Sequence, residues 1–214
     1  MLEVWGRKSS SNVQALMWAI DELGLAHNRY DAGLMHGVND TPEYLAMNPN
    51  GTVPTLRDGD GEPLFESAAI IRYLANKYGK SPFWPDELSS RTQIDMWAEW
   101  SKLNIALKFT APIFWLVVRT APSQRNPQAI RNGLDVFEKN LGIAEARLVR
   151  HEYLVGDAFT SADILFGHVL YRYFDIDIER KSLPAVRTYY DRLTERPAYQ
   201  DNVMVSYEEL RVSD

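Results

Sequence analysis

"NPNGTVPTLRDGDGEPLFESAAIIRYLANKYG", residues 48–79, changes its hydrophobic period midway, and that change decides the fold class. From Val53 to Glu66 the residues read as two strands around the turn Asp58-Gly59-Asp60-Gly61, a hairpin signal. From Ser67 to Gly79 apolar residues recur at helical spacing, with Ser67 in the place of a cap and Gly79 as a stop. Upstream, "LEVWG" is a strand, "NVQALMWAIDELGL" an amphipathic helix ending near Gly24, and "HNRYDAG" a second strand. A β-α-β unit of this kind favours parallel pairing with a right-handed crossover. "TPEYLAM" adds a short helix capped by Thr41, with Pro42 at its first position, where the missing N–H costs least.

Downstream the grammar is different. "KSPFWPDEL" carries Pro82 and Pro85 and reads as a linker, residues 80–88, between an α/β domain over 1–79 and a second domain over 89–214. The second domain reads as helical throughout. Arg91 to Val118 forms a long helix that Pro112 is expected to kink or end, and Pro127 to Tyr153 forms another. In "FTSADILFGH", Thr160 and Asp163 stand as a capping box, with Phe159 and Ile164 at the staple positions. Shorter helices follow near "LPAVRTYYDRL" and "RPAYQDNV".

Composition narrows the function. Lys plus Arg number 23 against 29 Asp plus Glu, a net charge of −6, with no basic cluster. That argues against nucleic acid and against an anionic membrane surface. The longest purely apolar run, Ala111–Val118, falls short of the roughly 20 residues that span a bilayer. The start "MLEVWGRKSS" has no segment of signal-peptide length, so the expected location is cytoplasmic. There is no cysteine, which excludes disulfides, thiolate metal sites and mechanisms using a protein thiol. Any thiol chemistry comes from a ligand. His27, His36, His151 and His168 show no metal-ligand spacing, and no metal is expected.

Three stretches in order, "NPNGTVPTL", "FESAAIIRYLANKYG" and "GDAFTSADI", resemble the cytosolic glutathione transferases over nearly the whole chain. The resemblance implies a thioredoxin-like α/β N-terminal domain followed by an all-α C-terminal domain, with glutathione as co-substrate. It implies a cis bond at Val53-Pro54 that turns the Val53 backbone toward the cysteinyl unit of glutathione, in the manner of an added strand. A plain turn proline is the alternative. Ser67 and Glu66 precede a helix whose free N–H groups attract a carboxylate, and the resemblance assigns them to the γ-glutamyl end. A cap and a solvated charge use the same geometry. Where many relatives carry Lys or Gln, this chain has Thr52, with Asn50 and His36 as substitute contacts.

"SSSNVQALMW", residues 9–18, supplies the candidate catalytic groups. A thiol attacks as its thiolate, and a helix N-terminus with added hydrogen-bond donors favours that anion. The resemblance places Ser10 at the hydroxyl position of serine-type members and Asn12 at the asparagine of a related bacterial group, with Ser11 in reserve. Simple helix capping is the competing reading. A small hydrophobic electrophile is the expected second substrate, and Phe109, Phe114 and Trp115 are either its wall or core. Alternative functions are a glutathione-dependent disulfide reductase or peroxidase, and a non-catalytic binding protein. The resemblance also implies a homodimer.

Overall fold

The structure, a computed structural model, describes residues 1–214. Its first half is a four-stranded sheet, β1 (Leu2–Trp5), β2 (His27–Tyr30), β3 (Thr55–Asp58) and β4 (Leu64–Phe65), in the order β2-β1-β3-β4. β1 and β2 are parallel, joined by α1 (Ser11–Glu22), while β3 runs antiparallel to both β1 and β4. The registers Val4 to Leu56 and Leu2 to Asp58 put Leu2, Val4 and Leu56 in the core. α2 (Pro42–Met47) starts as expected, its Thr41 hydroxyl accepting from the Tyr44 N–H at 3.3 Å. α3 (Ser67–Tyr78) is pinned back to the sheet through Asp58, whose Oδ2 accepts from Tyr73, Lys77 and Tyr78 at 2.6–2.8 Å.

The second half contains α4 (Leu88–Val118), α5 (Pro127–Leu148), α6 (Ser161–Gly167), α7 (Leu170–Asp175), α8 (Pro184–Thr194) and α9 (Pro197–Asn202). α4 is long and apolar enough to cross a membrane by length and composition, but here it is a core helix, burying Ile94, Ala98, Ile105, Phe109 and Ile113. Pro112 does not end it. The residues Lys102–Ala106 and Thr110–Trp115 widen into π-helical turns, and the second, which contains Pro112, re-routes hydrogen bonds around a residue that has no N–H to give. α5 then crosses close by: a Cβ added at Gly133 would stand 2.8 Å from the Pro112 carbonyl oxygen. α5 also stops at Leu148, five residues earlier than Tyr153, because the chain folds back there. Arg147 Nε donates to the Leu154 carbonyl and Tyr153 bridges to Gly156.

One core of 48 buried residues runs through both halves. α1 is its centre, with nine of twelve residues buried, so the helix read as amphipathic has almost no solvent face. Trp18 packs on Phe159 and edge-on to Tyr199, and a Cβ at Gly167 would meet its ring at 3.1 Å. At the far end of α1, Glu22 accepts from both Arg196 Nε and Nη2 at 2.6–2.7 Å, a bidentate pair with strong geometric preference.

The capping box of α6 is formed as expected. Asp163 is fully buried and accepts from the N–H groups of Leu154 and Thr160 and from the hydroxyls of Thr160 and Tyr189 at 2.8–3.0 Å. Asp163→Ala strands those donors, each bond being worth about 1.5–3 kcal/mol when the acceptor is charged. The substitution should therefore lower the unfolding free energy in urea by about 3 kcal/mol or more; a loss of less than about 1 kcal/mol would contradict the role given to this carboxylate.

Candidate active site

β1 delivers the chain to the N-terminus of α1 through Gly6, where any Cβ would stand 2.4 Å from Val13 and 3.4 Å from Val53. That close approach seats the first turn of α1 beside the loop before β3. Ser10 occupies the N-cap position, but no side chain caps this helix. The capping reading of the serines is thereby corrected: Ser9, Ser10 and Ser11 are buried, yet none of their hydroxyls accepts from the N–H groups of the first turn. The reason lies in the neighbours. Arg172 Nη2 holds the Ser9 carbonyl at 2.7 Å and Gln14 Nε2 holds that of Lys8 at 3.0 Å, so the entry to α1 is fixed by its backbone.

The Val53-Pro54 bond is cis. Beneath it, Tyr44 and Asn48 donate to the Thr52 carbonyl at 2.6 and 2.9 Å and both reach the buried Thr55 hydroxyl. The N–H and C=O of Val53 are left without a backbone partner, forming a short free strand edge, the geometry that an extended peptide pairs with.

Glu66 is the N-cap residue of α3 and Ser67 its first helical residue, which corrects the placement of Ser67 as the cap. Glu66 sits at φ +67, ψ 106, a conformation costly for a residue with a side chain and one that tends to persist at functional sites. Ser67 is 2% exposed. Its hydroxyl donates to Asn12 Oδ1 at 3.4 Å and accepts from Lys102 Nζ at 3.0 Å, while Lys102 also donates to Asn12 Oδ1 at 2.8 Å. An ammonium only donates, so the Asn12 atom facing it is the oxygen, and the Asn12 amide nitrogen is free to donate elsewhere. Burial lowers the Lys102 pKa below the ordinary lysine value, opposed by Glu66 and Glu99. The neighbouring His168 is pushed down to about 3 by burial and by the charges of Lys102 and Arg172, and stays neutral.

Between the halves lies a cleft of about 370 Å³, within the range of small-molecule sites. Ser10, Ser11, Asn12, Thr52 and Val53 line it from the first half; Thr110, Trp115, Arg119, Arg172 and Leu210 line it from the second. Trp115 is 45% exposed and forms wall, whereas Phe109 and Phe114 are fully buried core. His36 and Asn50 are exposed and lie outside the lining; Asn50 bonds back to Asn48, and Asn39, which holds the Gly51 carbonyl at 2.6 Å, lines the cleft instead. Lys102 and the arginines are absent from the motif-based reading. The lysine had a signal: it shares a helical face with Ala98, Ile105 and Phe109, all buried, where a charge needs a partner.

Residues 9–77 match the family model "Glutathione S-transferase, N-terminal domain", and residues 108–197 match "Glutathione S-transferase, C-terminal domain". The chain is 34% identical over 206 residues to glutathione S-transferase GstB of Escherichia coli K12, covering 96% of this chain and 99% of that protein. It is 31% identical to glutathione S-transferase 3 of Zea mays, covering 94% and 93%. Among solved structures, the theta class glutathione S-transferase of Xanthomonas axonopodis pv. citri with glutathione bound superposes with a TM-score of 0.90 at 40% identity, covering 96% of this chain and 98% of that one. With both family models matched in order on a two-part fold of this kind, the chain belongs to the glutathione transferase family.

Proposed function

We propose that this transferase conjugates the thiolate of glutathione to small electrophiles in the cytoplasm, with residues 1–79 as the glutathione-binding domain and 89–214 as the helical domain. The observation that supports the reading is that the free Val53 backbone edge, the uncapped first turn of α1 and Asn12 line one cleft, with Ser67 and Lys102 outside that lining but bonded to it through Asn12 as one cluster. The edge suits the cysteinyl backbone. The cluster, at the start of α3, suits the γ-glutamyl carboxylate, with Glu66 for the α-amino group; Thr52, next in the chain to Val53, lies on the glycyl side.

Under this reading the sulfur lies against the start of α1. The helix-end N–H groups, the Ser10 hydroxyl and the Asn12 amide stabilise its anion, each pKa unit of depression being about 1.4 kcal/mol. Ser10 donates a hydrogen bond and removes no proton itself, since an ordinary hydroxyl is a poor base. The sulfur lone pair forms the new bond as the leaving group departs with its electrons. Glutathione is the co-substrate and no metal takes part.

Lys102 gives this site a pH dependence. An anionic carboxylate favours the ammonium, so glutathione affinity should be full while Lys102 is protonated and should fall as pH rises through its lowered pKa, with Glu66 and Glu99 on the opposing side and His168 neutral throughout. Lys102→Met should weaken glutathione binding by about tenfold, as expected for a charge-assisted bond partly offset by water, and should flatten that alkaline limb. Calorimetric titration across pH checks both; an unchanged affinity in a folded variant rules the contact out.

Ser10→Ala should raise the pKa of the bound thiol by about one unit, or roughly 1.4 kcal/mol. Because the Ser10 side chain makes no cap bond, the melting temperature should hardly move. Thiolate absorbance titrated beside thermal melts reads both quantities, and a normal thiol pKa with lost stability would return the serine to a structural role.

We also propose a two-fold homodimer, supported by the exposed apolar side chains Met96, Leu103 and Leu107 on α4. Sedimentation at micromolar concentration should show a species of twice the 24.5 kDa chain mass, and a monomer there would refute the dimer.

A further inference from the structure

The cleft of a chain with net charge −6 gathers three guanidinium groups and no carboxylate. Arg7 follows β1, Arg119 follows the end of α4, and Arg172 lies in α7. None of the three is in an ion pair. Arg172 is 3% exposed, held by the Ser9 carbonyl and lying 4.5 Å from the Phe114 ring centroid, and its Nε has no hydrogen-bond partner. Arg7 Nε is likewise buried and unpartnered. Arg119 lies 5.0 Å from the ring centroid of Trp115. Arg7 repels both others, and Glu209 is the acid that acts on it in the opposite sense.

A buried, unpaired guanidinium such as that of Arg172, with two further guanidinium groups lining the same cleft, is costly. An arriving anion removes that cost, and a guanidinium fork matches a carboxylate better than any other common group. Glutathione brings two carboxylates, but the γ-glutamyl carboxylate suits Lys102 and Ser67, the glycyl carboxylate falls on the Thr52 side, and the cysteinyl unit suits Val53. The guanidinium groups of Arg119 and Arg172 belong to the opposite wall, with Trp115 and Thr110, where the second substrate enters.

We infer that the second substrate is an electrophile bearing a carboxylate near its reactive carbon, held by Arg7, Arg119 and Arg172 with its apolar part against Trp115. This rests on the transferase reading above. For a halo acid the step balances without any further reactant: the thiolate forms the C–S bond, the C–halogen bond breaks, and halide leaves with the electron pair. The arginines offset the repulsion between two anions that must meet, an effect absent for a neutral halide.

Iodoacetate and iodoacetamide make a matched pair differing in that charge, and the protein has no cysteine for either to alkylate. For each, kcat/KM with glutathione is divided by the uncatalysed rate constant. The iodoacetate acceleration should exceed that of iodoacetamide by about tenfold or more, and Arg119→Gln, at an exposed position, should cut that ratio by about tenfold, the scale of one charge-assisted bond. Arg7→Met should do the same and Arg7→Lys should restore part of it. Binding of the two products, S-carboxymethyl and S-carbamoylmethyl glutathione, should show the same preference and the same loss. Turnover of iodoacetamide without preference for iodoacetate overturns the inference alone. Equal falls with both halides in the arginine variants also overturn it, since the arginines would then serve the thiolate. No turnover of either halide overturns the transferase reading and this inference together.

Discussion

The burial of α1 is the constraint on which the rest of the molecule depends. α3 packs against it from the first half, and α6 and α9 pack against it from the second. Most of its twelve residues are therefore withdrawn from water, and an apolar side chain buried in this way contributes about 1.5–3 kcal/mol. Neither half can move far without uncovering this helix. Its C-terminal end is held by the Glu22–Arg196 pair and its N-terminal end by the Arg172 bond to Ser9. The first turn of α1 is consequently presented at a fixed place in the cleft between the halves.

The polar parts of the site follow from that placement. Lys102 comes from α4 in the second half and bonds to Asn12 on α1 and Ser67 on α3. Lys102 opens one widened turn of α4, and a second widened turn ends at Trp115 on the cleft wall. Widened turns of this kind recur at functional sites because they re-aim side chains without ending a helix. The positive φ of Glu66 is a second local cost, retained where the start of α3 meets the same cluster. A cleft lined by free backbone donors and guanidinium groups, with an ammonium bonded to its Asn12, is one prepared for anions, and glutathione is an anion at neutral pH.

Much of the fold was legible because it rests on local chemistry. The β-α-β unit, the hairpin at Asp58–Gly61, the Thr41 cap and the Asp163 box each depend on residues a few positions apart. Val53 and Ser67 were legible as motif residues, and the cleft lining includes Val53 with Ser10, Ser11 and Asn12. What escaped depends on distant chain. The outer face of α1 looked polar through Gln14, Asp21 and Glu22, yet Gln14 is buried and Glu22 is paired with Arg196, 174 residues away. The serine hydroxyls looked like caps because sequence spacing cannot show that Arg172 already fixes the turn. Pro112 looked like a helix stop because a proline's missing donor is local, whereas the π-helical turn that absorbs it packs against α5. The cationic wall is assembled from positions 7, 119 and 172, and no run of sequence contains it.

The central claim, that the buried α1 exists in this molecule to hold a thiolate at its first turn, is tested most directly by a crystal structure of the protein with glutathione bound. The account predicts the sulfur within hydrogen-bond distance of the Ser10 hydroxyl or the Asn12 amide, the cysteinyl backbone paired to both polar groups of Val53, and the γ-glutamyl carboxylate between Ser67 and Lys102. Glutathione bound with its sulfur directed away from the start of α1, or seated without the Val53 pairing, would contradict it.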